Sequence, residues 1–495
     1  MLIQISHLTF AYDGSYDVIF QDVSFQLDTD WKLGFIGRNG RGKTTFLKLL
    51  LGQYEYQGKI TSSVAFDYFP FEVNQKQRNT IEIIEELVPD CEYWQIKKEL
   101  SLLDVKEDIL WRSFCHLSNG EQTKVLLSAL FLKENHFLLI DEPTNHLDAL
   151  GRKTVSNYLK NKKGFILVSH DRQFLDDIVN HVLSINRQNI EVQKGNFTSW
   201  QQNKQKQDSF ELGENEKLKK EIQILTAAAK RTANWSNKVE KTKKTGRDSS
   251  GIKPDKGYIG HKAAKMMKRS QVITSRKETA IEQKEKLCKN IEQEQDLKLF
   301  PCPYHKQVLL ELKEVSLFYG QKRVFEPVTF SIERGDRIAL QGGNGTGKTS
   351  LLKCILGEQI ALEGQMQKGS GLEISYVSQD TSTLNGTLQA YAQKQNINYS
   401  LFLGILRKLG FTREQFEKKI EDFSGGQKKK VLLAKSLCQK AHLYVWDEPL
   451  NFIDVLSRIQ IETLLLEYQP TMLFVEHDAI FTQKIATKWI ELKKA

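Results

Sequence analysis

The stretch GRNGRGKTT at residues 37–45 returns as GGNGTGKTS at 342–350. LSNGEQ (117–122) returns as FSGGQK (423–428), FLLIDEPTNHLD (137–148) as LYVWDEPLNFID (443–454), and ILVSHD (166–171) as LFVEHD (473–478). The offsets are 305 from Lys43 to Lys348, 306 from Asp141 to Asp447 and 307 from His170 to His477. Four motifs in one order at a nearly constant offset mark an internal duplication. A chain of 495 residues exceeds one ordinary domain, and the repeat says that two of its domains are alike.

Each copy alternates apolar strand-like runs with helix-like stretches, which predicts an α/β fold with a parallel sheet covered by helices. In the first copy the run Leu33-Gly34-Phe35-Ile36 leads into the glycine-rich loop, and the helical pattern Thr45-Phe46-Leu47-Lys48-Leu49-Leu50 follows it. That strand–loop–helix context identifies GxxxxGK[ST] as a phosphate-binding loop rather than a chance glycine turn. The candidate nucleotide-binding residues are Gly37, Arg38, Asn39, Gly40, Arg41, Gly42, Lys43, Thr44 and Thr45. In the second copy they are Gly342, Gly343, Asn344, Gly345, Thr346, Gly347, Lys348, Thr349 and Ser350. Glycine allows the backbone N–H groups to turn toward phosphate oxygens. Lys43 and Lys348 then reach the β- and γ-phosphates of ATP, and the hydroxyls of Thr44 and Thr349 reach Mg²⁺.

Phe137-Leu138-Leu139-Ile140 reads as a strand buried on both faces that delivers Asp141 and Glu142 to its carboxyl end. Asp141 suits the magnesium shell and Glu142 suits polarising the attacking water; Asp447 and Glu448 repeat the arrangement. A solvated loop is the bland alternative for such a carboxylate pair. His170 and His477 each end an apolar run. A lone histidine there is more often structural, but these two recur in register with the other motifs and are candidate catalytic residues.

The most apolar stretch, residues 125–132, is far shorter than the roughly 18 residues of a membrane span. The opening MLIQISHLTF has no basic stretch and no cleavage site, so no secretion signal is expected. The six cysteines are scattered without a CxxC and read as reduced thiols of a cytoplasmic protein. The formal charge of +10 is unevenly placed. Residues 201–300 hold 24 basic and 14 acidic residues, and the rest of the chain holds 47 of each. A local basic excess points to a polyanionic partner.

Three segments are expected: a first nucleotide-binding domain at 1–200, a basic helical linker at 201–305, and a second nucleotide-binding domain at 306–495. In the linker Leu218, Ile222, Leu225 and Ala229 step by four, three and four, and Met266, Ile273, Ala280 and Leu287 recur every seven. Two such helices would pack as a long antiparallel hairpin, a coiled coil with its tip near 245–257 in KKTGRDSSGIKPDKG. Arms of about 40 residues reach roughly 60 Å. Past the tip, Lys262, Lys265, Lys268 and Arg269 fall on one helical arc, with Ala263, Met266 and Met267 opposite for packing. With Lys253 and Lys256 they are the candidate RNA contacts; a solvated charged face is the alternative.

LSNGE and FSGGQ beside these loops resemble the signature sequence of ATP-binding cassette (ABC) proteins. The resemblance implies two cassettes closing head to tail around two ATP molecules. Ser118 and Gly120 would face the ATP held by Lys348, and Ser424 and Gly426 the ATP held by Lys43. Tyr12 and Tyr319 match the family's adenine-stacking aromatic, or are core tyrosines. Gln379 in Tyr376-Val377-Ser378-Gln379 matches the family's Mg²⁺-linked glutamine. The first copy has Tyr68-Phe69-Pro70-Phe71, with Phe71 in its place, and Asn119 replaces a signature glycine, so unequal sites are expected.

Tandem cassettes around a basic helical linker resemble the ABC-F group of ribosome-binding ATPases. GNFTSW (195–200), KGYIGHKAAKMMKRS (256–270) and WDEPLNFID (446–454) are similar to its Lsa-like antibiotic-resistance members. That resemblance implies an ATPase whose linker enters the E site of the 70S ribosome and acts on P-site tRNA and 23S rRNA. It further implies protection from lincosamides, streptogramin A and pleuromutilins, by a monomer without a membrane subunit. A housekeeping translation factor of the same group and the ATPase of a drug exporter are the rival readings. A DNA-repair or chromosome-organising ATPase is a third, but it usually carries zinc modules or much longer coils.

Overall fold

A computed structural model describes the chain except residues 13–17, 72, 146, 187–188, 243–255, 289–296, 321 and 344. The chain divides into two units, Met1–Phe197 together with Glu294–Ala495, and Thr198–Gln293.

In the first unit each sequence copy folds the same way. The first copy builds a six-stranded sheet in the order Ala65–Phe69, His136–Asp141, Phe165–Val168, Lys32–Ile36, His181–Ile185, Ile190–Lys194. All neighbours are parallel except the last pair. The second copy builds a parallel sheet of Ile374–Val377, Leu443–Asp447, Met472–Val475, Arg337–Gln341 and Lys488–Glu491. Central strands such as Phe165–Val168 and Met472–Val475 are buried at every position. That is why they read as unbroken apolar runs rather than as alternating ones. A separate antiparallel sheet accompanies each: Leu2–Ala11 with Val18–Asp28 and Gln57–Thr61, and Val308–Tyr319 with Val328–Glu333 and Ala361–Lys368. Phe35, Phe46 and Leu47 fill the space between the two sheets of the first copy.

Parallel pairing aligns the carboxyl ends of Lys32–Ile36, His136–Asp141 and Phe165–Val168. The glycine-rich loop, Asp141 and the approach to His170 therefore leave the sheet on one edge, where open parallel sheets bind ligands. The copies also meet each other. Arg172 of the first copy is fully buried and pairs with Glu462 and, at 3.3 Å, with Asp478 of the second.

The second unit contains most of the 46-residue helix Phe197–Thr242 and the 33-residue helix Lys256–Cys288. Leu218, Ile222, Leu225 and Ala229 are all half-buried, as the expected stripe requires. Met266 and Ile273 are half-buried and Ala280 is buried. Met267 is 61% exposed, which corrects its expected packing role. Adjacent helical residues lie about 100° apart, so only Met266 continues the seven-residue stripe. Helix begins at Lys256, so the tip is shorter than 245–257 at its far end. The rest of the expected tip, with Lys253, lies outside the described residues, as do the side chains of Lys256, Lys262, Ala263 and Leu287. Lys265, Lys268 and Arg269 are exposed.

Candidate active sites

Both glycine-rich loops hold their lysine in the same way. Lys43 Nζ donates to the carbonyls of Gly37 at 2.6 Å and Arg38 at 3.3 Å, and Lys348 Nζ to those of Gly342 at 2.8 Å and Gly343 at 2.9 Å. Both are buried, and burial lowers both pKa values. Gly42 and Gly347 enter the following helices at φ 91° and 88°. A Cβ at Gly42 would lie 2.6 Å from Ile19, and one at Gly347 2.4 Å from Val324. Glycine is required there both by the left-handed conformation and by the close approach. Asn344 lies outside the described residues.

The carboxylates arrive as expected, but their surroundings differ. At the first site Asp141 Oδ2 accepts from Thr44 Oγ1 at 3.2 Å and from the Tyr68 hydroxyl at 3.0 Å. At the second, Asp447 is fully buried, and the Thr349 side chain beside it works against the upward pull of burial on its pKa. Burial raises the pKa of both aspartates. A buried carboxylate beside a threonine hydroxyl and a lysine suits Mg²⁺, which takes few protein ligands and completes its shell with phosphate and water oxygens. Consistent with that division, no group of three or more His, Cys, Asp or Glu side chains among the described residues is arranged to hold a metal alone.

The adjacent glutamates differ most. Both are bent into positive φ, 52° at Glu142 and 47° at Glu448. Glu448 accepts from Gln379 Nε2 at 2.8 Å and Asn451 Nδ2 at 2.5 Å, with His477 Nε2 at 3.3 Å. Burial pulls its pKa up, but the bonds from His477 and Gln379 outweigh that and leave it below the ordinary value. Glu142 Oε1 has no hydrogen-bond partner among the described residues, and His170 Nε2 lies 3.4 Å away. Burial and the neighbouring Asp141 push Glu142 up to about 8, while burial drives His170 well below its ordinary value. Phe71 stands where Gln379 stands in the second copy and offers no donor.

The sequence LSNGE or FSGGQ opens a helix in each copy. Ser118 and Glu121, and Ser424 and Gln427, form reciprocal capping boxes. The two copies are arranged head to tail. Ser118, Asn119 and Gly120 share one cavity of about 1390 Å³ with Lys348, Thr349 and Glu448. At the other site the copies touch directly. Asn39 Nδ2 donates to the Phe452 carbonyl at 2.8 Å, and Asn39 N to Asp454 Oδ2 at 3.3 Å. A Cβ at Gly426 would lie 2.5 Å from the Phe452 carbonyl and 3.2 Å from Asn39, so the second signature glycine permits that approach. At Gly425, the position matching Asn119, the nearest atom would be 3.8 Å away, which explains why a side chain is tolerated there. Tyr12 and Tyr319 are 42% and 57% exposed, which removes the core reading. Their hydroxyls bond Thr45 at 2.7 Å and Ser350 at 3.1 Å, so each ring stands at the rim of its loop.

The model of the ABC transporter family matches residues 20–145 and 325–451, one match on each copy. The chain belongs to the ABC transporter family. Its two cassettes are ATPase domains. The chain is 29% identical to the ribosome protection protein VmlR of Bacillus subtilis over 96% of its own length and 84% of that protein's. It is 25% identical to ABC transporter F family member 2 of Arabidopsis thaliana over 99% and 76%. An archaeal ribosome recycling factor, solved with a ribosomal stalk protein, shares the fold with a TM-score of 0.62 at 19% identity, over 98% of this chain and 87% of that one. Sequence reading found the glycine-rich loops, the carboxylates and the histidines. It missed Tyr68, whose only signal was a hydroxyl in a strand next to the Asp141 strand, and Asn451, visible as the repeated asparagine of PTN and PLN.

Proposed function

We propose that this chain is an ATP-driven ribosome protection protein of the ABC-F group. In this reading it enters the E site of the 70S ribosome, and its linker acts on P-site tRNA and 23S rRNA. The result is displacement of lincosamides, streptogramin A and pleuromutilins from the peptidyl-transferase centre. The observation that carries the reading is the placement of charge: all of the +10 excess lies in the segment between two ATPase cassettes. Similarity to a ribosome protection protein along 96% of the chain supports it. The protein acts in the cytoplasm as a monomer whose cassettes pair with each other.

At each site Lys43 or Lys348 binds the phosphates, and Tyr12 or Tyr319 stacks on adenine. Ser424 and Gly426, or Ser118 and Gly120, close over the nucleotide from the opposite cassette. Thr44 with Asp141, and Thr349 with Asp447 and Gln379, would hold Mg²⁺, which would supply charge neutralisation at the phosphates. Glu448 accepts the proton of the attacking water at its site, and Glu142, which burial and Asp141 push up to about 8, does so at the other only in its ionised form; His477 and His170 lie beside them.

The two sites should not contribute equally. Glu448 is held by three side chains and Glu142 by fewer, so Glu448→Gln should remove more of the steady-state ATP turnover than Glu142→Gln. Indistinguishable residual rates in the two single mutants would contradict this. Linker contacts are tested by charge neutralisation. Lys265→Gln with Arg269→Gln should weaken binding to 70S ribosomes and make log K less steep in log salt by about 2, one for each lost phosphate contact. An unchanged slope in filter binding at several salt concentrations would assign these residues to a solvated face.

A further inference from the structure

Lys429 and Lys435 of the helix Gly425–Cys438 have no lysine counterpart in the first cassette and reach main-chain carbonyls outside their helix. Lys429 is 2% exposed, and its Nζ donates to the carbonyls of Ser378 at 2.7 Å and Asp447 at 3.2 Å. Lys435 Nζ donates to the carbonyl of Tyr376 at 2.9 Å. These carbonyls belong to the segment leading into Gln379 and to the end of the strand Leu443–Asp447. Between them, Gln379 Nε2 reaches Glu448 at 2.8 Å. The positions 306 residues earlier hold Thr123 and Ala129. The Thr123 hydroxyl turns back to the Asn119 carbonyl of its own helix at 2.9 Å, and Ala129 offers no donor. Phe71 there leaves nothing for such donors to position. The lysines and the glutamine–glutamate bond thus occur together in one cassette and are absent together from the other. Burying an ammonium group is costly unless its donors are engaged, and main-chain carbonyls engage these two.

We propose that Lys429 and Lys435 are positioning residues for hydrolysis at the Lys348 site. They fix the chain leading into Gln379 against the end of the neighbouring strand, and so keep the Gln379 amide on Glu448. Lys429 also lines the cavity that holds Lys348 and Glu448, but its donors go to main-chain carbonyls, and in this role both lysines act through Gln379.

The proposal rests on Glu142 and Glu448 as the two bases. It is tested in the full chain carrying Glu142→Gln, where turnover comes from the Lys348 site. Lys429→Thr with Lys435→Ala installs the residues that the first cassette carries at the same places in a folded helix. The kcat for ATP should fall about 10- to 100-fold, the scale of a small misplacement of a reacting group, with KM nearly unchanged. Lys429→Arg, which keeps the donors, should retain most of the rate. Added to Gln379→Ala, the lysine substitutions should cost less than twofold more, because residues acting through one partner are not additive. An unchanged kcat, a change confined to KM, or a full additional loss on top of Gln379→Ala overturns the proposal. Wild-type turnover in Glu142→Gln with Glu448→Gln would instead overturn the base assignment and leave the lysines unjudged only until Gln379→Ala is compared in the unmutated chain, where the same non-additivity decides.

Discussion

ATP turnover by the double variant Glu142→Gln with Glu448→Gln is expected to fall about 10²–10⁴-fold, the usual cost of losing a placed catalytic base. ATP binding should survive, because Lys43 and Lys348 draw their contacts from their own loops and not from either glutamate. With nucleotide bound and hydrolysis blocked, the closed cassettes should persist on ribosomes. Sedimentation with ATP should show the double variant accumulating with 70S particles and the unmutated protein cycling off. Turnover near the unmutated rate would remove both glutamates from the chemistry. Accumulation without ATP would detach ribosome binding from cassette closure.

The second large effect concerns the segment between the two linker helices. Replacing residues 246–255 with a short Gly-Ser turn should leave ATPase activity intact, since every residue assigned to ATP lies before residue 172 or after residue 318. Lys265, Lys268 and Arg269 remain in the helix that follows, so ribosome binding should weaken only partly and should still fall with rising salt. Resistance to lincosamides, streptogramin A and pleuromutilins should be lost, read as inhibitory concentrations in a susceptible bacterium. Full resistance with the shortened segment would place the protective action elsewhere.

Much of the site was legible because the chemistry is local. A glycine-rich loop, an Asp-Glu pair after an apolar strand and a histidine after another are contiguous in sequence, and their duplication in one order gives each an internal control. The helical stripes Leu218–Ala229 and Met266–Ala280 were legible for the same reason, since helix faces follow from spacing alone. What escaped depends on partners distant in sequence. Tyr68 reaches Asp141 only because two strands 73 residues apart lie side by side. Lys429 reads as part of a charge run, KKK at 428–430, until the fold carries it to Ser378. The departure at Phe71 announced unequal sites. It did not announce that one site would hold cross-cassette hydrogen bonds at Asn39 while the other opens into a cavity, because that depends on how the two cassettes dock.

On the proposed function, ATP use by these cassettes removes a drug from the ribosome itself. The deciding measurement uses purified 70S ribosomes loaded with radiolabelled lincosamide, mixed with this protein and ATP and passed through a filter. The retained label should fall with added protein, and the protein with residues 246–255 replaced should leave the label in place. Label that stays on the ribosome at every protein concentration, while cells expressing the protein accumulate less drug, would rule out displacement on the ribosome and favour an exporter.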